Sequence, residues 1–265
     1  MERKFLCSLG CATVARELET DPAGTLQKIR GLGYTSVEYY GEPVLPPEQV
    51  AALLAENGLA LNGWHIEWRH LQPGTVENTV AYCKAAGLKR VIIPCLGSRW
   101  EVGHTLAQEC KEVWFAYLPR ITAIYERLTD EGLELGYHNH EHEFLLRYDG
   151  QRVFDLLYEN LPQGLIMELD TGNTIEAGVS PADVIRKYHG RKIVLHCKPY
   201  SKEKGFDIPF GGAEDESRWA PVFEAFGEKT PELIVECETE TLDPFETAGE
   251  ALPRLRKAFT DYYTL

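Results

Sequence analysis

Eight short apolar runs, each followed by a stretch patterned for a helix, constrain this chain more than any other feature. The runs cover residues 5–9, 36–40, 59–65, 90–94, 133–138, 165–170, 192–196 and 233–236. Helical patterns follow at 22–32, 47–57, 74–86, 105–130, 153–160, 180–188, 217–226 and 247–259. Asp21-Pro22 opens the first helix, and Ser180-Pro181 reads as a capping residue with proline at the first helical position. Pro119 is expected to kink or split its helix, and Pro253 to bend the last one. Run 90–94 is apolar through its middle, as a strand buried on both faces should be.

Strand–helix alternation fits either an open doubly wound sheet or a closed barrel. Eight repeats in 265 residues match the barrel, which typically takes about 250. Geometry agrees. Strands lie about 4.8 Å apart, so the fifth and eighth would be separated by about 14 Å in an open sheet. The expectation is an α/β fold, one (β/α)8 TIM barrel domain spanning residues 1–265.

The net charge of −14 and pI near 5.1 argue against binding to nucleic acid or an anionic membrane surface. No run of about 18 apolar residues is present, and the start does not read as a signal peptide. The seven cysteines form no Cys-x-x-Cys pair, which predicts reduced, mostly buried thiols. Cys95, at a strand tip, is expected to pack in the core. A cytoplasmic protein acting on a small molecule is the resulting expectation, and assembly into a homo-oligomer is compatible with it.

The chemistry concentrates at strand ends. Gly136-Tyr137-His138-Asn139-His140-Glu141-His142-Glu143-Phe144 places three histidines and two glutamates within nine residues, at and beyond the end of the fifth strand. Ser8, Glu38, His65, Glu168 with Asp170, His196 with Lys198, and Glu236 mark other strand ends. Side chains alternate along a strand. Ile166, Glu168 and Asp170 therefore share one face, Val194 and His196 another, Ile234 and Glu236 a third. If these faces point inward, Asp170, His196 and Glu236 converge above an apolar interior, at the end of the barrel where such enzymes keep their sites. With Glu143 they make three carboxylates and one imidazole. Two carboxylates about 4 Å apart repel by about 4 kcal/mol at an effective dielectric near 20. Either carboxyls protonate or one divalent metal ion sits among them, Mn²⁺ or Mg²⁺ first, Co²⁺ or Zn²⁺ next.

The sequence resembles the xylose-isomerase-like TIM barrels, often called sugar phosphate isomerases/epimerases. The motifs are those at 136–144, Met-Glu-Leu-Asp-Thr-Gly-Asn at 167–173, Leu-His-Cys-Lys at 195–198 and Val-Glu-Cys-Glu at 235–238. The resemblance implies that Glu143, Asp170, His196 and Glu236 bind the metal. It also implies that Glu143 and Glu236 act as the catalytic acid/base pair, and that His65 and Lys198 lie near the substrate. His140 is expected to touch substrate or orient a ligand. Arg99 is a candidate for an anionic group. Asn173 stands where ketose epimerases tend to carry histidine, and Pro199 where Asp or Asn often follows the lysine.

The resulting expectation is a sugar epimerase or isomerase. Its metal would chelate a carbonyl and a neighbouring hydroxyl and stabilise an enediolate, with the two glutamates moving protons. Loss of a hydroxyl would instead give dehydration, as in the inosose dehydratases. A metal-dependent hydrolase is the competing enzyme class, suggested by His138-x-His140, and a non-catalytic sugar-binding barrel is the third reading.

Overall fold

The computed structural model describes residues 4–43, 45–97 and 110–263. Eight parallel strands close a barrel: β1 (Cys7–Gly10), β2 (Ser36–Tyr40), β3 (Ala60–His65), β4 (Arg90–Ile93), β5 (Glu134–His138), β6 (Ile166–Asp170), β7 (Ile193–Cys197) and β8 (Glu232–Val235). Each pairs with its sequence neighbours, and β1 pairs with β8 to close the ring. The expected (β/α)8 barrel is the observed fold.

Two apolar compartments hold it together. The larger fills the space between sheet and helices; the other, inside the barrel, contains Ile166, Val194 and Ile234. The interior shows why β5 carries a glycine. A Cβ on Gly136 would lie 2.5 Å from Ile92 Cδ1 and 3.2 Å from the Ile166 Cβ. We expect Gly136→Val to overpack this layer and cost about 1–3 kcal/mol, measured by denaturant unfolding. A change near zero would show that the interior can rearrange.

Gly63 serves a polar group instead. The register between β2 and β3 shifts after Val37, so that Glu38 pairs with Gly63. A Cβ there would lie 2.2 Å from Glu38 Oε2. The missing side chain leaves room for the Glu38 carboxylate in the barrel.

Several local expectations shift. Helix Lys111–Asp130 runs through Pro119, and helix Pro244–Tyr263 through Pro253, without a break. In the first, Trp114, Tyr117, Ile121, Ile124 and Leu128 form one buried stripe. Their packing outweighs the one hydrogen bond that proline cannot donate. The expected start near Thr105 lies outside the described residues. Elements absent from the sequence reading are short: helices Ala15–Thr20, His142–Leu145 and Thr171–Glu176, and a hairpin pairing Arg147–Tyr148 with Gln151–Arg152. None of the seven cysteines is disulfide-bonded. No helix among the described residues is long and apolar enough to cross a membrane.

Candidate metal centre and active site

Above the apolar interior lies a buried polar layer that the sequence only hinted at. The pairing of His138 with Glu168, and of Asp170 with His196, brings the ends of β5, β6 and β7 side by side. Glu168 is its hub. Its Oε1 lies 2.6 Å from His65 Nε2, 3.1 Å from His138 Nδ1 and 3.1 Å from His196 Nε2. Glu38 Oε1 lies 2.8 Å from His196 Nε2 and 3.6 Å from His65 Nε2. Burial favours the neutral carboxyl of Glu168, but the imidazoles of His196, His65 and His138 outweigh it and hold Glu168 well below the usual range. It is therefore ionised and can only accept hydrogen bonds. The imidazole nitrogens facing it carry hydrogens.

That fixes which nitrogens face upward. Burial, ahead of the Glu168 hydrogen bond, pushes His138 down to about 4, so it is neutral. With its hydrogen on Nδ1, Nε2 is a bare lone pair, 3.8 Å from Asp170 Oδ2. His196 donates from Nε2 and turns Nδ1 toward Glu236 Oε2, 2.6 Å away. Burial would lower His196, but Glu168, Glu236 and Glu38 raise it well above its ordinary value.

Asp170, His196 and Glu236 form the group expected from strand phase, each offering a ligand atom within 4.8 Å of the others. Asp170 Oδ1 accepts from the Asn173 backbone N–H at 2.7 Å, capping helix Thr171–Glu176. Asp170 Oδ2 is buried and has no hydrogen-bond partner. An ion about 2.1 Å from each ligand spans ligand atoms up to about 4.2 Å apart. An unpartnered carboxylate oxygen, a lone pair on His138 and a second imidazole nitrogen facing Glu236 fit a divalent cation. Part of the charge is balanced by protein. Lys198, only 1% exposed, places Nζ 3.8 Å from Asp170 Oδ2, 3.4 Å from Glu236 Oε1 and 2.6 Å from Glu238 Oε1.

The structure does not bring Glu143 to this group. Its carboxylate is fully buried, accepts from Tyr137 Oη at 2.5 Å and the His140 backbone N–H at 2.8 Å, and lies 3.3 Å from His142 Nε2. The cause is local. The chain turns after His138 into the one-turn helix His142–Leu145, which carries Glu143 behind the loop. Burial raises its pKa. On β5 the side chain nearest Asp170 is His138, whose Nε2 lies 3.8 Å from Asp170 Oδ2.

A cavity of about 610 Å³ opens above the group, lined in part by His65, His138, His140, Asn173, Lys198 and Glu236. Four of the five expected substrate-binding residues therefore share one wall, while Arg99 lies outside the described residues. Asn173 Nδ2 donates to the Asn139 carbonyl at 3.0 Å, and Asn139 Oδ1 accepts from the Asp170 N–H at 3.0 Å, tying loop to ligand strand. Burial, then His138 and Lys198, push His140 well below its ordinary value, so it is neutral. Cys95 is buried, as expected, and also forms part of the wall.

These charges set a pH dependence. Burial, then Glu236, raise Asp170 to about 7 against the lowering by Lys198. Burial of His65 opposes its proton, yet Glu168 and Glu38 raise it to about 9. A raised histidine contributes stability that is complete below its unfolded value near 6.5 and is lost as pH rises through about 9. A raised Asp170 likewise disfavours the fold as pH climbs from its unfolded 3.8 through about 7. The chelated protein should therefore lose stability from pH 6.5 to 9. A metal ion competes with the protons on Asp170 and His196, so its affinity should rise over the same range. Melting curves with and without metal at each pH check both signs; an affinity independent of pH would contradict them.

No family model matches the sequence, and no curated protein matches it. Solved structures do. A sugar phosphate isomerase/epimerase from Parabacteroides distasonis superposes with a TM-score of 0.77 at 19% identity, over 95% of this chain and 97% of that one. An L-ribulose 3-epimerase gives 0.72 at 13% identity, over 97% and 95%. A D-psicose 3-epimerase from Clostridium cellulolyticum, solved with D-tagatose, gives 0.69 at 15%, over 96% and 99%. The chain has the fold of the xylose-isomerase-like TIM barrels along nearly its whole length.

Proposed function

We propose that this protein is a divalent-metal-dependent sugar epimerase or isomerase that moves a proton at a carbon beside a carbonyl. The observation that carries this reading is the buried Asp170–His196–Glu236 group, of which Glu236 lines a sugar-sized cavity. The similar barrels that act on ketoses support the substrate class. Asp170, His196 and Glu236 would hold the ion, with His138 Nε2 as fourth ligand. Two imidazoles beside two carboxylates suit Mn²⁺, Co²⁺ or Zn²⁺ better than Mg²⁺. Bound there, the ion supplies Lewis-acid polarisation of the carbonyl.

The chain's own residues do the rest. Glu236 lines the cavity and is held well below the usual carboxylate range, against its burial, by Lys198 and His196. It is ionised and placed to take the carbon-bound proton as general base and to return it to the neighbouring carbon, which gives isomerisation; inversion at the first carbon takes its proton from a second donor on the opposite face. Lys198 and Asn173 line the wall beside it and orient hydroxyls. His140, neutral and on the same wall, contacts substrate. Glu143 acts through His140, whose backbone N–H it holds. Exchange of substrate hydrogen with D₂O tests the reaction class.

The ligand assignment has its own test. His138→Ala should lower metal affinity by at least about tenfold, whereas Glu143→Gln should keep the ion. His140→Ala should also keep the ion while losing activity. Retention of metal in His138→Ala together with its loss in Glu143→Gln would return Glu143 to the ligand set.

A further inference from the structure

We infer that the cavity takes an uncharged sugar and turns away phosphorylated or carboxylated ones. This rests on the sugar-binding reading of the site and narrows it.

The wall is built from acceptors. Glu67, Glu141, Glu176, Glu236 and Glu238 all line it. Its cationic side chains are already committed. Arg69 pairs with Glu42 at 2.5 Å and with Glu67 at 2.8 Å. Lys198 pairs with Glu238 at 2.6 Å and packs over the Phe206 ring, 4.3 Å from its centroid. His65 is spent inward on Glu168 at 2.6 Å. Among the described residues, the helix that starts at the group, Thr171–Glu176, already has its first turn capped by Asp170.

An ionised carboxylate accepts and cannot donate. A polyol brings one hydroxyl donor per carbon and satisfies such a wall. A phosphate brings only charge and acceptors, and like charges brought together in a binding site are costly. At the mouth, Tyr40 is 53% exposed and presents a ring on which the C–H face of a sugar can lie.

The experiment is calorimetric titration of the metal-loaded protein with ketohexoses and with their own 6-phosphates. The free sugars should bind at least about tenfold more tightly. Raising the salt to about 0.5 M should shrink the difference by screening. Glu67→Gln with Glu141→Gln removes two wall charges, so it should tighten the 6-phosphates and narrow the ratio between free sugar and 6-phosphate. A 6-phosphate that binds as tightly as its free sugar overturns the inference, and so does the absence of binding by every free ketose. The reaction is scored separately. Free sugars that bind without exchanging hydrogen for deuterium would sink the proposed chemistry and leave the specificity standing.

Discussion

Asp170→Asn and His196→Ala should each strip the protein of its divalent ion and abolish activity. Asp170 supplies the buried oxygen that lacks any hydrogen-bond partner, and His196 turns Nδ1 toward Glu236 from a ring anchored on Glu38 and Glu168. Mutating residues that merely support metal ligands commonly costs 10- to 100-fold in affinity, so a lost ligand should cost at least about 100-fold. Binding is also read as stability. At free metal about 100 times Kd, the wild type gains about 2.7 kcal/mol, roughly 5–10 °C in a domain of this size. That gain should vanish in both variants and on chelation. Metal analysis should find one ion per chain in the wild type. The lower group of His65, His138, Glu168 and His196 has similar spacing, but its imidazole nitrogens already face Glu38 and Glu168. Full occupancy in either variant would show the centre to be elsewhere, and two ions per chain would favour the hydrolytic reading.

Turnover in D₂O should place deuterium at the carbon beside the carbonyl, and Glu236→Gln should remove that exchange. Glu236 is the carboxylate that both lines the cavity and belongs to the ligand group. General acid/base catalysis contributes about 10²–10⁴-fold, and kcat should fall by that amount when glutamine replaces the base. Because Glu236 also binds metal, the comparison belongs at saturating ion with occupancy measured in the same sample. A hydride shift would carry the hydrogen internally, and hydrolysis would leave it in place. Clean turnover without deuterium at any carbon would end the proton-transfer reading, even with the metal centre intact. Glu143→Gln is the control. Acting through His140, it should reduce turnover and leave exchange detectable. Complete loss of exchange there would restore Glu143 as the second acid/base group.

The two glutamates show how far residue order alone reaches. Glu236 follows β8, where alternation along a regular strand determines which way each side chain points. Ile234 is in the barrel interior and Glu236 above it, as periodicity requires. The same logic places Asp170 above Ile166 and His196 above Val194. Glu143 lies five residues beyond the last strand residue of β5, past a bend and into a one-turn helix. Period two no longer applies there, and its direction is set by contacts with Tyr137 and the His140 backbone. In the structure His138, not Glu143, is the β5 side chain that faces Asp170.

The sequence by itself determined the barrel and brought Asp170, His196 and Glu236 to one end of it, because these follow from strand count and alternation, which are local. Only the tertiary structure decided the tautomer of His138, the raised proton affinity of His196, the hub role of Glu168, the room that Gly63 leaves for Glu38 and the balancing charge of Lys198. Each of these depends on groups far apart in the chain meeting at hydrogen-bond distance in a buried space. There a few ångströms settle which atom carries a proton, and no pattern along the chain encodes that distance.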